Sequence, residues 1–190
     1  TVTSELYDGK KGIKVIPCYY KKDYPEWSDR GDGPGAPVAI HQPNSPVIAT
    51  GKRDGSKIRL PNGNYLEETA SYFVMVETAT GGFTPALITM KSTQLNVSKK
   101  WNSMMKTTQF PDGKGGFATP PMFGVVYNLA STLQKNDKGS WYGWVVTMDR
   151  ILGQEDKSLY LGAKDFGANV SKGAVQTKSD VEEKSDSTPY

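Results

Sequence analysis

The sequence predicts a mainly β fold with one or two helices (α+β), organised as one domain with long loops. Three observations carry that prediction. Twenty glycines and twelve prolines in 190 residues punctuate many short β-rich runs, as in sheets joined by irregular connections. Only one segment, residues 92–106, shows convincing helical spacing. Residues 120–152 (PPMFGVVYNLASTLQKNDKGSWYGWVVTMDRIL) hold two β-rich runs, 123–129 and 140–148, around a polar stretch ending Lys135-Asn136-Asp137-Lys138-Gly139. Asn, Asp and Gly supply the positive φ angles and local side-chain bonds that reverse a chain between antiparallel strands. Alternation then puts Trp141, Gly143, Val145 and Thr147 on one face of this hairpin and Tyr142, Trp144, Val146 and Met148 on the other. Both faces are apolar or aromatic, so the hairpin either lies centrally in a sheet or bears an aromatic surface patch.

From the start, residues 1–11 read as a short extended entry with a turn at Asp8-Gly9. Residues 12–20 (GIKVIPCYY) are a strand by their Ile, Val and Tyr content, and Pro17 implies an edge position or a bulge. Residues 21–27 (KKDYPEW) set two lysines between aromatics, and 28–46 is a loop whose glycines and prolines oppose regular structure. Its Arg30-Gly31-Asp32 tripeptide is expected by chance. A short strand at 46–51 and a basic turn at Lys52-Arg53-Asp54-Gly55 follow. Residues 57–60 and 65–66 pair around Pro61-Asn62-Gly63, and 71–78 pairs with 84–89 as core strands. The helix 92–106 (STQLNVSKKWNSMMK) is capped by Ser92 or Thr93. It carries Leu95, Trp101, Met104 and Met105 on one face, with Val97 beside Trp101. After a Gly/Pro-rich connector at 109–121 and the hairpin, a further helix spans about 159–170, broken by Gly162 and Gly167. The domain is read as residues 1–176, and 177–190 as a flexible acidic tail.

Composition removes several classes of function. No run of eighteen apolar residues exists, so no helix crosses a membrane, and no charged start with an apolar core marks a secretory signal. One cysteine, Cys18, excludes an internal disulfide framework and fits a reducing compartment. One histidine, His41, leaves a conventional Cys/His zinc site without ligands. Neither a phosphate-binding GxxxxGK[ST] loop nor a GxSxG nucleophile elbow occurs, and the acidic residues have no calcium-loop or paired-metal spacing. No enzyme and no cofactor are expected. The formal charge is +3, of which the tail contributes −2 through Asp180, Glu182, Glu183 and Asp186 against Lys178 and Lys184. A basic body thus precedes an acidic end.

Basic residues interleaved with aromatics stand out instead. They are Tyr19, Tyr20, Lys21, Lys22 and Tyr24 with Trp27; Lys99 and Lys100 with Trp101; and Lys135 and Lys138 with Trp141, Tyr142 and Trp144. Lys52, Arg53, Lys57 and Arg59 add a second basic cluster near a turn. Single-stranded nucleic acid calls for this combination, because cations neutralise phosphates while rings stack on bases for roughly 1–3 kcal/mol each. The plainer explanation is that aromatics form the core and lysines keep the domain in solution. For Trp101, on the apolar helix face, that explanation is preferred. For Tyr19/Tyr20 and Trp141/Tyr142/Trp144, alternation sends neighbours to opposite faces, so rings are exposed or covered by another element.

The element order, several strands, one helix, then a hairpin, matches the five-stranded OB-like Greek-key barrel, whose helix follows the third strand. With the helix STQLNVSKKWNSMMK and the hairpin FGVVYNLA…SWYGWVV, residues 7–152 resemble tailed-bacteriophage proteins of the single-stranded DNA-binding kind. The stretch DGKKGIKVIPCYYKKDYPEW is similar to the opening of a family found among phage replication genes. The resemblance implies an acidic tail that occupies the DNA groove when DNA is absent and docks on replication or recombination proteins. DVEEKSDSTPY, ending in Tyr190, is similar in plan but contains Lys184 and closes on tyrosine in place of phenylalanine.

The expected function is sequence-independent binding of single-stranded DNA in phage replication or recombination, in the cytoplasm of the infected host, with no membrane partner and with a homodimer allowed. The alternative from another class is a virion structural or capsid-decoration protein. A third is a small accessory enzyme whose carboxylates converge only on folding.

Overall fold

The computed structural model describes residues 8–29, 36–137 and 139–175; the acidic tail and Arg30-Gly31-Asp32 lie outside these. Strand β1 (Ile13–Trp27) is the spine. An insertion after it holds β2 (Ala39–His41), α1 (Pro46–Thr50), β3 (Lys52–Asp54), β4 (Lys57–Arg59) and β5 (Tyr65–Glu67). The long pair β6 (Thr69–Glu77) and β7 (Phe83–Lys91) follows, then a 3-10 turn and α2 (Leu95–Thr107). The minimal hairpin β8 (Phe110–Pro111) and β9 (Phe117–Ala118) leads to β10 (Val125–Asn136), β11 (Gly139–Ile151) and finally α3 (Lys157–Ser171).

Strands take 46% of the described residues and curl into an antiparallel half-barrel compatible with an OB-like α+β fold. The five long strands lie in the order β7-β6-β1-β10-β11. By chain position that is third, second, first, fourth, fifth, with α2 between the third and fourth, as the element order predicted. The edge strands β7 and β11 do not pair with each other among the described residues. Helix α2 bridges the gap between them, packing on β6, β7 and β11. At the gap, the Gln94 side-chain oxygen accepts the Trp144 backbone N–H at 3.1 Å, which satisfies one edge donor.

Alternation on the spine separates two cores. Val15, with Ala70, Tyr72, Val74, Tyr127 and Leu129, faces inward onto Trp101 and Met105 of α2. Ile16 and Cys18, with Val126, face outward beneath Ala163 of α3. Trp101 is fully buried, its ring stacked 4.4 Å from Tyr72 and edge-on 5.6 Å from Tyr127. Each such pair adds about 0.5–1.5 kcal/mol beyond burial. The Tyr72 hydroxyl donates to the Ser98 carbonyl at 3.0 Å and lies 2.7 Å from its hydroxyl, so a buried serine on the apolar helix face has its partner.

Of the two readings of Pro17 the bulge holds: β1 is central, and a bulge between Pro17 and Tyr19 absorbs the missing donor. Several other local expectations are corrected. Residues 46–50 form α1 and not a strand, because Pro46 in the first helical turn forfeits only an N–H that has no partner there. Part of the 28–46 loop is β2, paired with Tyr24–Glu26. Neither Ser92 nor Thr93 caps α2 with its side chain; Ser92 turns the chain at φ 48 into a 3-10 turn instead. Helix α3 runs unbroken through Gly162 and Gly167. Gly167 permits close packing, since a β-carbon there would lie 2.3 Å from the Cys18 carbonyl oxygen.

Candidate nucleic-acid interface

The hairpin register fixes what each arm residue faces. Asn136 pairs with Gly139, so Leu133 stands opposite Tyr142, Ser131 opposite Trp144 and Gln134 opposite Trp141. Directly opposed residues share a face. The face that holds Leu129 and Val146 in the core therefore continues outward as Ser131, Leu133 and Lys135 beside Trp144, Tyr142 and Ser140. Beyond Leu129, β10 has β11 as its only strand partner among the described residues, and the arm leaves the barrel wall. Tyr142 is 71% exposed and Leu133 60% exposed, whereas Trp144 is half-buried against the inner core. Trp141, on the other face, is half-buried with its indole N–H enclosed and unpartnered. Gln94, Ser131, Tyr142, Gly143 and Trp144 line a pocket of about 270 Å³.

On β1 the bulge leaves Tyr19 opposite Phe73 and Lys21 opposite Ser71 on the outer face, and Tyr20 opposite Tyr72 on the inner one. Tyr19 meets Phe73 edge-on at 6.1 Å, next to the exposed Leu87. Tyr20 packs 5.0 Å from Tyr72 and belongs to the core. Lys21 pairs with Asp23 at 3.0 Å and Lys22 with Glu68 at 2.6 Å. Tyr24 is buried with Ile58, Leu60 and Leu66, so its ring has no face to offer a base, contrary to the expectation from sequence. Trp27 is half-buried under the Lys91 ammonium at 5.4 Å, and Lys91 also holds Glu67 at 2.9 Å.

The insertion supplies the second basic cluster. Lys57 sits 3.6 Å over the Tyr65 ring and Arg59 5.4 Å from it. Arg59 is drawn to Asp29 at 3.2 Å and Asp54 at 3.6 Å, which raises its pKa further. Lys52 and Arg53 on β3 are exposed with no ion-pair partner among the described residues, as are Lys99 and Lys100 on α2 and Lys135 on the arm. A buried network ties the insertion to β1. Glu26 accepts Asn64 at 2.6 Å and Asn62 at 3.2 Å on one oxygen and meets His41 at 2.7 Å with the other. The Asn64 bond, supported by His41 and Asn62, holds the Glu26 carboxyl below its usual pKa.

The predicted residues are thus not gathered into one patch. The arm lies beyond Ile13 at one end of β1, and the insertion pairs with Tyr24–Trp27 at the other. Lys138 and the tail residues Asp180, Glu182, Glu183, Asp186 and Tyr190 lie outside the described residues. A larger cleft of about 510 Å³ between β6, β7 and α3 holds none of the predicted residues. Its Arg150 is committed to Asp156 at 2.5 and 2.9 Å, and that guanidinium holds the Asp156 carboxyl below its usual pKa. Cys18 is buried, its thiol pushed up to about 12, and His41 bonds Glu26. Sequence reasoning missed Leu133, Tyr65 and Lys91. Leu133 was within reach, because fixing the turn at Asp137-Lys138 assigns it to Tyr142.

No helix of the described residues is long and apolar enough to cross a membrane. No curated protein and no solved structure matches the chain significantly. Residues 1–176 match the Pam3 phage gp34-like protein family. The chain belongs to that family and is a phage protein.

Proposed function

We propose that the protein binds single-stranded DNA without sequence preference during phage DNA replication or recombination, in the cytoplasm of the infected host. The observation that carries this reading is the arm: Tyr142 stands 71% exposed opposite Leu133, with Lys135 on the same face and without a counter-ion among the described residues. A ring exposed on a strand offers its face to a base for stacking. OB-like barrels use the hairpin between the fourth and fifth strands and the connection after the first strand to hold oligonucleotides. Here those two places are the arm and the basic insertion. Lys52, Arg53, Lys57, Lys99, Lys100 and Lys135 are the cations available to phosphate, while Lys21, Lys22 and Arg59 already hold carboxylates. The acidic tail competes for the same cations or recruits replication or recombination proteins.

The test is fluorescence anisotropy of labelled oligo-dT against duplex DNA of equal length over a salt series. Expected is tighter binding to the single strand, weakening steeply as salt rises. No binding at low salt, even with residues after 176 removed, rejects the reading. One observation favours a virion structural or decoration role instead: Val145 and Met148 are 40% and 46% exposed on β11, a thirteen-residue edge strand open to pairing with another subunit. Mass spectrometry of purified virions, finding the protein at stoichiometric abundance, would favour that role.

A further inference from the structure

We infer that Tyr142 and Trp144 form a slot that takes one unstacked base, a deeper statement of the DNA-binding reading and dependent on it. The two residues are separated by one position on β11, so their side chains leave the same face. With a rise of about 3.3–3.4 Å per residue, their attachment points are about 6.8 Å apart. That is twice the 3.4 Å step between stacked bases, which leaves room for a single planar ring between two others. The two rings make no contact with each other among the described residues, so the slot is not closed by self-stacking. The space is a pocket of about 270 Å³, with the Gly143 backbone between the rings and Ser131 across the strand pair. Such a volume falls below that of pockets for drug-sized ligands and suits one ring system.

The two walls differ in a way that fits insertion. Trp144 is anchored: its ring packs on the inner core, and its backbone N–H donates to the Gln94 side-chain oxygen. Tyr142 is the exposed wall, free to settle on an incoming base. Trp141, on the opposite face, takes no part. One place keeps the slot open. Ser131, opposite Trp144, is the smallest hydroxyl side chain where a leucine would fill the space.

The experiment compares the full chain binding labelled oligo-dT and a fully abasic strand of equal length at one salt concentration. The abasic strand keeps every phosphate and offers nothing to stack. Wild type should prefer oligo-dT, and Tyr142→Ala and Ser131→Leu should each lower that preference by about 5- to 100-fold while abasic binding holds. Tyr142→Phe should retain the preference. Tyr142 is exposed, so its variant stays folded even where Ser131→Leu disturbs the arm. An oligo-dT preference unchanged by Tyr142→Ala overturns the slot and leaves DNA binding standing. Failure of the wild type to bind either strand overturns both.

Discussion

Lys99-Lys100-Trp101 on α2 and Lys138-Gly139-Ser140-Trp141-Tyr142 on the arm look alike in sequence: lysines beside large aromatics. Their fates are opposite. Trp101 is the largest fully buried side chain of the inner core, stacked on Tyr72, and its neighbouring lysines point away into solvent. On the arm, Tyr142 lies on a face that continues the core face past the point where α2 stops covering it. Juxtaposition of a cation and a ring in sequence therefore carries little information. Whether another layer covers that face decides between packing and binding.

The largest expected effect breaks the first half of this comparison. Trp101→Ala removes two ring contacts and leaves a cavity, costing about 3–5 kcal/mol in a urea titration. The affinity of the folded fraction for DNA should not change. The α3 face gives the next. Gly167→Ala forces a β-carbon against the Cys18 carbonyl and should cost roughly 1–3 kcal/mol, lowering Tm. Gly162→Ala, with nothing within 4 Å of its β-carbon, should gain up to about 1 kcal/mol from helix propensity. Equal effects at the two glycines would contradict the close approach of α3 to β1.

Legibility in the sequence followed the same division. The hairpin, the helix with Trp101 inward, and the pairs 57–60 with 65–66 and 71–78 with 84–89 were all readable, because each rests on local periodicity and turn chemistry. Pro17 was left between an edge and a bulge, and Gly167 was misread as a helix break, because their meaning is tertiary. A proline bulge in a central strand and a glycine against a carbonyl both depend on the element packed alongside. Of the site, Tyr142 was legible as a ring on a strand. The burial of Tyr24 was not, since the insertion that covers it is built from three-residue strands too short to carry a period. The ion pairs that occupy Lys22 and Arg59 join residues distant in sequence and leave no local trace.

The insertion allows a pH test. Glu26 has a lowered pKa when folded, chiefly through Asn64 and then through His41 and Asn62. Its contribution to stability is therefore complete above the ordinary glutamate range and is lost as pH falls through the lowered value. Chemical denaturation between pH 7 and pH 3 should show wild type losing stability faster than Glu26→Gln. Parallel slopes would mean that the network does not tie the insertion to β1. The smallest effect belongs to the arm's cation. Lys135→Gln should leave the melt unchanged and reduce the slope of log affinity against log salt by about 0.7, the value of one single-strand phosphate contact.

Hydrogen exchange with and without saturating oligo-dT tests the central claim most directly, because it reads the arm and α2 in one experiment. The account predicts slower exchange on binding across 131–136 and 139–144, with the interior of α2 around Trp101 unchanged. Protection that appears in α2 while the arm stays unaffected would contradict it.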